Sequence, residues 1–316
     1  MCVVGRRMSV FLTDGRYKVQ APEEVRGFRT IISSAGMLRA AAERRVLPSK
    51  SRVGFEEEHV SVAELKNLRR LFPDIRFVPV VRLVESLAAV KDESEISMLR
   101  RAAAITDAVF TRILTVIRPG IRESEIAAEI SYLHRAYGAE GDAFEPIVAG
   151  GPRGALPHAR ASLSKLRRGE MVILDFGCRV RGYHSDLTRT VAVGRPSARM
   201  RTIYQIVLEA QQRAIEAARA GIPARDLDAV ARRLIRKRGY GKYFVHSLGH
   251  GLGLHVHEPL RLSALSKDML QAGNVVTIEP GVYVPDLGGV RIEDDVVIRR
   301  DGCTVLTHSP KELMVV

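Results

Sequence analysis

Apolar and polar positions alternate along the first part of the chain in the manner of mixed helices and strands. Short apolar segments at residues 8–12 and 77–81 predict strands, whereas the amphipathic segment at residues 60–71 predicts a helix. The pattern is that of an α/β structure, and we interpret residues 1–90 as a small leading domain.

A second and larger domain follows this segment. Asp92 and Glu95 form an Asp-x-x-Glu signal for the start of a helix, and the apolar spacing predicts a long amphipathic helix running to about Ile117. We therefore place the domain boundary after residue 90, with residues 91–316 as the second domain.

The second domain contains an internal duplication. Gly120 and Gly138, which flank a predicted helix, recur as Gly221 and Gly239, at an offset of 101 in both cases (221 − 120 and 239 − 138). Such spacing predicts two structurally similar halves.

Each half also carries one acid on each of two strands. Asp175 and Asp186 in the first half correspond to Glu279 and Glu293 in the second, at offsets of 104 and 107 (279 − 175 and 293 − 186). A turn at residues 180–182 would bring the first two nearly opposite each other. Buried acids are costly unless paired or metal-bound, so a packing of the halves about a pseudo-twofold axis would require cations between the four carboxylates. The alternative is four separate acids that cap turns or pair with arginines.

Residues 246–257 form a histidine-rich segment in which three glycines are interspersed. The glycines weaken a strand and allow close approach, so we interpret it as a loop or edge strand lining a site, with one histidine as a ligand and another placed for catalysis. His255 is expected to point away from His250 and His257 or to be structural. His246 is either a core residue or a substrate contact, and the isolated His158 is either a solvated loop residue or part of the site.

Composition narrows the classes of function. The 49 basic and 36 acidic residues give a net charge of +13, but the arginines occur as singles and pairs along helices, which argues against a specific nucleic-acid partner. Three cysteines without a C-x-x-C pair favour neither a disulfide framework nor a thiolate zinc site, and a reducing cytoplasm is expected. We expect no membrane association, since no apolar run approaches the ~18 residues of a membrane span.

These motifs together resemble the metal-dependent aminopeptidase P and prolidase family, whose pita-bread fold is shared by methionine aminopeptidase and creatinase. The matching stretches are Pro157-His158-Ala159, Leu174-Asp175-Phe176-Gly177, Ser185-Asp186-Leu187-Thr188-Arg189-Thr190, the segment Gly249 to Glu258, Thr277-Ile278-Glu279-Pro280-Gly281 and Arg291-Ile292-Glu293-Asp294.

The resemblance implies an α/β (α+β) protein with a C-terminal, pseudo-twofold duplicated pita-bread domain. It also implies a shortened N-terminal α/β domain, since relatives usually carry further residues at the front. The alternative is that the start of the chain is misassigned. Substrate-length selectivity and a homodimer, both expected from the family, depend on that leading domain.

The resemblance further implies a centre of two divalent metal ions. Asp186 and Glu293 would bridge the ions, Asp175 would chelate one of them, and His250 with Glu279 would complete the other. This oxygen-rich ligand set suits Mn²⁺, with Co²⁺, Fe²⁺ and Zn²⁺ as alternatives.

The implied reaction is hydrolysis of an Xaa-Pro bond, in a dipeptide or at the N-terminus of a peptide, by a metal-bridging hydroxide. Glu279 would transfer the proton, and His257 and His158 would donate hydrogen bonds to the intermediate and substrate. Arg261 matches the arginine that binds the free carboxylate of the dipeptide, and Arg291 would orient a bridging carboxylate. Two alternatives stay open, namely an exopeptidase resembling methionine aminopeptidase and a non-peptidase binding relative of the same fold.

Overall fold

The computed structural model describes residues 1–6 and 8–316, which form two compact units, Met1–Val84 and Glu85–Val316. The domain boundary predicted after residue 90 lies inside the second unit. Val90 forms an antiparallel bridge with Asn274, and the Lys91 amide donates to the Gly273 carbonyl at 2.9 Å. These bonds hold the residues before the long helix against a strand of the second unit.

The first unit has the α/β character that its sequence predicts. Its elements are β1 (Cys2–Gly5), β2 (Met8–Asp14), β3 (Arg29–Ser33), β4 (Arg52–Glu56), β5 (Arg76–Val80), α1 (Gln20–Glu24), α2 (Met37–Glu43) and α3 (Val62–Leu71). β2 lies between β1, which is antiparallel to it, and β3, which is parallel. The helix expected at residues 60–71 is α3, which starts at a Ser61–Glu64 capping box. Strands β2 and β5 occupy the two segments predicted as strands.

The second unit begins with helices and continues into a set of sheets. Helix α4 (Leu83–Ala88) crosses the division between the units. The remaining helices are α5 (Glu93–Leu114), α6 (Glu123–Ala136), α7 (Ala198–Ala217) and α8 (Ala224–Lys237). The strands are β6 (Gly141–Asp142), β7 (Ile147–Gly150), β8 (Met171–Phe176), β9 (Cys178–Val180), β10 (Tyr183–His184), β11 (Leu187–Ala192), β12 (Gly249–Gly251), β13 (Glu258–Leu262), β14 (Val275–Ile278), β15 (Gly281–Val284), β16 (Gly288–Arg291), β17 (Asp294–Ile298) and β18 (Cys303–Val305).

The long helix of the second unit starts at the predicted signal. The Asp92 side chain accepts from the Ser94 and Glu95 amides, and the Glu95 side chain accepts from the Asp92 amide. The helix ends at Leu114, slightly before the predicted Ile117. The backbone hydrogen bonds that follow this end form a turn.

The predicted duplication is present in the second unit. The helix pair α5–α6 precedes the antiparallel strands β7, β8 and β11, and the pair α7–α8 precedes the antiparallel strands β12, β14 and β17. Gly138 and Gly239 follow α6 and α8 with φ of 91° and 87°. In both places the next amide bonds to a carbonyl five residues back, Ala139 to His134 and Tyr240 to Ile235.

The two halves meet along β11 and the segment that leads into β17. The Glu293 amide donates to the Thr188 carbonyl at 3.1 Å, and the Thr190 hydroxyl donates to the Arg291 carbonyl at 2.9 Å. All six residues of β8 and all six of β11 are buried. β8 is accordingly apolar except for Asp175, whereas β11 also buries two threonines and Arg189. The acids of the two halves are drawn together at this junction.

The register of the first acidic hairpin differs from the prediction. Arg181 and Gly182, with φ of 48° and 81°, form the turn, and this centre pairs Asp175 with Thr188. Asp186 therefore lies two residues nearer the turn than Thr188, the residue opposite Asp175. The prediction that the two acids lie nearly opposite each other was wrong. The turn consists of two residues with left-handed backbone, and it shifts the centre of the hairpin away from the predicted position.

We expect the two helix ends to respond alike to loss of their glycines. Gly138→Ala and Gly239→Ala should each lower the free energy of unfolding by about 1 to 2 kcal/mol, because alanine is strained at positive φ although both sites open onto free space. Denaturant unfolding measures the change. Gly302→Ala, also in open space but outside the left-handed region, is the control with little expected change. Penalties that differ strongly between the first two variants would contradict the equivalence of the halves.

Candidate functional site

A cleft of about 450 Å³ in the second unit is lined by every site residue that the sequence predicts. The predicted residues at the cleft are His158, Asp175, Asp186, His246, His250, His257, Arg261, Glu279, Arg291 and Glu293. Residues that the sequence did not suggest complete the lining, namely Phe144, Glu145, Pro146, Ile147, Pro157, Arg160, Ser247 and Val256. Side chains more than one hundred residues apart in sequence thus face one space.

Strand ends place the five ligand-type side chains. Asp175 is near the end of β8, Asp186 immediately precedes β11, His250 is the middle residue of β12, Glu279 follows β14, and Glu293 immediately precedes β17. The four acids thus occupy matching places in the two halves. All five are buried except Glu279, which is partly exposed.

The position of His250 corrects one prediction. The histidine-rich segment was expected to be a loop or an edge strand. Residues 252–257 form a loop, but residues 249–251 form β12, which lies inside a five-stranded sheet, between β13 and β14. Glycine is needed there for a steric reason, since a Cβ at Gly249 would lie 2.0 Å from the Thr277 carbonyl oxygen. The glycines that weaken an isolated strand are what let this strand enter the sheet.

His250 presents an unprotonated nitrogen to the acids. Its Nδ1 lies 3.1 Å from the Gly251 carbonyl, which can only accept, so Nδ1 carries the proton and Nε2 is free to act as a ligand. Nε2 is 3.4 Å from Glu279 Oε1 and 3.8 Å from Asp186 Oδ2. Burial, followed by the neighbouring His257, lowers the pKa of His250 to about 3, so the ring stays neutral.

The carboxylates are poorly satisfied by protein groups alone. Within the described part of the chain, Asp175 Oδ1 and Asp186 Oδ1 are buried and have no hydrogen-bond partner. Burial, reinforced by the other carboxylates, raises the pKa of Asp186 and of Glu293 well above their usual values, and burial raises that of Glu279 to about 8. Clustered acids of this kind need positive charge in order to ionise.

The donor set fits a divalent metal. One ligand atom from each of Asp186, His250 and Glu293 lies within 4.8 Å of the others, and Asp175 and Glu279 face the same cleft. Four carboxylates and one imidazole are the ligands that Mn²⁺ and similar ions accept. The unpartnered carboxylate oxygens are the atoms that such ions would satisfy.

Arg291 connects two of the acids. Its Nη2 forms an ion pair with Asp175, and its Nε donates to the Thr188 hydroxyl oxygen at 3.0 Å. The Thr188 hydroxyl in turn donates to Glu293 Oε2 at 2.6 Å. Arg291 therefore contacts Asp175 directly and reaches Glu293 only through Thr188, a residue that the sequence did not single out.

A tyrosine links the same arginine to His246. Arg291 Nη1 donates to the Tyr283 phenol oxygen at 2.7 Å, and that phenol lies 2.9 Å from His246 Nε2. His246 Nδ1 lies 2.7 Å from the Ser247 carbonyl and must donate to it, so Nε2 accepts the tyrosine proton. Burial lowers the pKa of His246 to about 4. His246 is therefore a neutral, half-buried residue at the cleft wall.

The outer part of the cleft carries further basic side chains. His158, His257 and Arg261 are exposed and line the cleft, whereas the exposed His255 does not. The ring centroid of His257 lies 4.3 Å from that of His250, edge to face. Burial and the nearby Arg261 and His158 lower the pKa of His257. The segment thus places one histidine, His250, among the acids and another, His257, at the cleft surface.

A second buried arginine stabilises the junction between the two halves on the side away from the cleft. Arg189, 1% exposed, donates to Asp294 Oδ1 at 2.7 Å and also to the carbonyls of Thr188 and Glu293. Asp295 Oδ2 accepts from the Asp186 amide at 2.9 Å. Two consecutive acids inside an apolar strand were the available sequence signal, because such residues require buried partners.

No helix in the described residues, 1–6 and 8–316, is long and apolar enough to cross a membrane.

Comparison with known proteins identifies two family models. The model of metallopeptidase family M24 matches residues 97–300, and that of the creatinase/prolidase N-terminal domain matches residues 1–90. The matches cover both parts of the chain that the sequence analysis separated.

Individual relatives agree with the family models. The chain is 42% identical over 269 residues to an Xaa-Pro dipeptidase of Pyrococcus furiosus, which covers 85% of this chain and 77% of the relative. Among solved structures, an Xaa-Pro dipeptidase from Bacillus anthracis superposes with a TM-score of 0.96 at 40% identity, covering 100% of this chain and 88% of that one. An X-Pro aminopeptidase from Thermotoga maritima gives 0.93 at 39% identity, with 100% and 90% covered.

These structural matches confirm the mixed α/β architecture of the pita-bread type, with a small N-terminal domain and a larger catalytic domain. The family model spans the strands that supply all five ligand-type residues. The chain belongs to metallopeptidase family M24.

Proposed function

We propose that this protein is a metal-dependent peptidase that hydrolyses the bond between a first residue and proline, in Xaa-Pro dipeptides or at the N-terminus of longer peptides. The convergence of five ligand-type side chains, with unpartnered buried carboxylate oxygens, in one cleft carries the proposal. The printed activities of the similar proteins, Xaa-Pro dipeptidase and X-Pro aminopeptidase, support the substrate class.

We assign the metal site to two divalent ions, with Mn²⁺ as the best match to the ligands. Asp186 and Glu293 would be shared between the ions, Asp175 would hold one, and His250 with Glu279 the other. When bound, divalent ions polarise a carbonyl oxygen and make water nucleophilic at neutral pH. The protein keeps His250 neutral and supplies acids at strand ends that would ionise when the ions bind.

Glu279 is the residue to which we assign proton transfer. Its side chain is 15% exposed, compared with 6% for Asp186 and His250, so it can reach both the attacking water and the bound peptide. It would accept the proton of the water and donate it to the proline nitrogen as the bond breaks. The Thr277 hydroxyl, 3.2 Å from Glu279 Oε1, orients the carboxylate.

The cleft rim would bind the peptide. His158 and His257 donate hydrogen bonds to the substrate carbonyl and to the charge that develops on its oxygen, and His246 forms the wall behind them. Arg261, which lines the cleft, would bind the free carboxylate of a dipeptide. An Xaa-Pro bond lacks an N–H and has a locked φ, so a cleft that recognises ends and carbonyls suits it better than strand-like pairing would.

Several expectations from the sequence stay predictions. A homodimer and a cytoplasmic location are among them, and the free thiols of Cys2, Cys178 and Cys303 are compatible with a reducing compartment. The methionine-aminopeptidase-like alternative is disfavoured by the match of residues 1–90 to a creatinase/prolidase N-terminal domain. The complete ligand set disfavours a metal-free binding module.

The direct test is hydrolysis of an Xaa-Pro dipeptide and an Xaa-Pro-Yaa tripeptide by the full chain reconstituted with Mn²⁺. We expect cleavage that a chelator abolishes and that added Mn²⁺ restores. Arg261→Ala should raise the KM of the dipeptide far more than that of the tripeptide, because only the dipeptide places a carboxylate next to proline. Equal effects on both substrates would refute the role of Arg261, and no cleavage of either substrate would refute the proposed activity.

The ligand assignment predicts loss of metal on removal of a shared carboxylate. Asp186→Ala and Glu293→Ala should each reduce the bound Mn²⁺ measured by calorimetry and elemental analysis, and lower kcat by at least about 10³-fold. Asp301→Ala, at an exposed position of the same unit outside the cleft lining, is the control and should keep both. Full metal content in either cleft variant would show that the two-ion assignment is wrong.

The two neighbouring histidines of one loop provide a matched pair. His257→Ala should lower kcat by about 10²-fold, because a hydrogen-bond donor to the developing oxyanion is lost, while His255→Ala should leave kcat close to that of the native protein. Both side chains are exposed, so a comparable Tm is expected for the two variants. A similar loss of activity in both would assign the effect to the loop and not to His257.

A further inference from the structure

A buried ion pair lies outside the metal centre, beneath the histidine-rich segment. Lys91 Nζ contacts Glu258 Oε2, and the two side chains are only 2% and 5% exposed. Two residues of opposite charge, 167 positions apart in sequence, are thus removed from water together. Because removing charges from water is costly, a pair with no part in the chemistry needs a structural or functional reason.

The lysine is attached to a fixed backbone. The Lys91 amide donates to the Gly273 carbonyl at 2.9 Å, and Asn274 Nδ2 donates to the Ala89 carbonyl at 2.8 Å. Asp92, the next residue, caps the long helix α5. The ammonium group therefore extends from a rigid part of the second unit.

The glutamate closes the loop of residues 252–257 on itself. Glu258 Oε1 accepts from the Leu254 amide at 3.1 Å while its other oxygen contacts Lys91. Gly253 packs tightly against both side chains, since a Cβ there would lie 2.2 Å from Glu258 Oε1 and 2.7 Å from Lys91 Cε. The Gly253 carbonyl accepts from the His184 amide at 2.9 Å. The pair thus anchors the loop at its base.

The loop ends at His257, whose ring has little else to hold it. Among the described residues, the ring's defined contact is the edge-to-face packing on His250, with centroids 4.3 Å apart, and no side-chain hydrogen bond fixes it. Its place at the cleft therefore depends on the backbone that precedes Glu258.

We propose that the Lys91–Glu258 ion pair is a positioning device that holds the 252–257 loop so that His257 stays against His250 at the cleft. Lys91 and Glu258 are positioning residues and do not touch the peptide. The proposal rests on the proposed function only in that His257 acts on a bound peptide. Removal of Lys91 would leave a buried carboxylate with one amide donor, and the loop would move to hydrate it.

The kinetic test combines Lys91→Met with His257→Ala in the full, Mn²⁺-loaded chain. In the native background, Lys91→Met should lower kcat for an Xaa-Pro dipeptide by about tenfold, with KM changed less than about twofold. In the His257→Ala background the same change should cost less than about twofold, because the positioned group is already gone. Lys267→Met, an exposed lysine of the same unit, is the control and should have no effect in either background.

An equal loss in both backgrounds, or no loss in the native one, would overturn the proposal. If Lys91→Met does not fold, Glu258→Gln replaces it in the same cycle, because the amide keeps the size of the side chain and its bond to the Leu254 amide.

Hydrogen exchange tests the anchor without any peptide. In the metal-free protein, amides of residues 252–257 should exchange faster in Lys91→Met than in the native chain or in Lys267→Met, while those of α7 and β8 exchange at unchanged rates. Unchanged exchange in the loop would refute the anchor. Since this readout needs no catalysis, it separates failure of the positioning proposal from failure of the proposed peptidase activity.

Discussion

The repulsion among acidic side chains that share one water-poor cleft is the constraint on which the rest of the second unit depends. Asp186 and Glu293 have pKa values raised well above normal by burial and by neighbouring carboxylates, and Asp175 and Asp186 each keep a buried oxygen without a partner among the described residues. Protein groups alone leave this cluster electrostatically incomplete. Burying these carboxylates without positive charge costs free energy, and divalent ions would remove that cost. The site is therefore organised for binding such ions.

The scaffold holds the acids together in spite of that repulsion. Each half of the duplicated unit offers one acid at the end of a central strand and one at the start of its neighbour, and hydrogen bonds between β11 and the segment before β17 join the halves. Two buried arginines act on opposite sides of the junction. Arg291 pairs with Asp175 on the cleft side, and Arg189 binds Asp294 and four backbone carbonyls behind it. The two arginines therefore supply positive charge from the protein itself, in addition to the charge expected from the ions.

The protein controls protonation around the acids by dictating hydrogen-bond directions. Carbonyl acceptors at Nδ1 force both His246 and His250 to present Nε2 as an acceptor, and burial keeps both rings neutral. His246 accepts from Tyr283, whereas His250 faces the carboxylates. The same residue type therefore has two roles, and the partner of Nε2 decides between them. His257 differs from both because its ring is held by packing and by the loop behind it.

The sequence by itself determined the features that local chemistry imposes. The capping box at Asp92, the helix-flanking glycines Gly138 and Gly239, and the duplicated acids were all evident from spacing, because each depends on residues close in sequence or on an internal repeat. The short stretches around the acids and histidines carried the resemblance to a metallopeptidase family, and the family was confirmed. Residue types suited to metal binding are also evident without a fold.

Tertiary structure alone decided which distant groups became partners. The bond from Thr188 to Glu293, the placement of Tyr283 between His246 and Arg291, and the pairing of Lys91 with Glu258 join segments whose separation in sequence carries no signal of contact. The interior position of β12 and the shifted register at Asp175 belong to the same class. Local sequence patterns reflect interactions between residues that are close in sequence. These features instead depend on which strands pair with each other, and the packing of the whole domain determines that pairing.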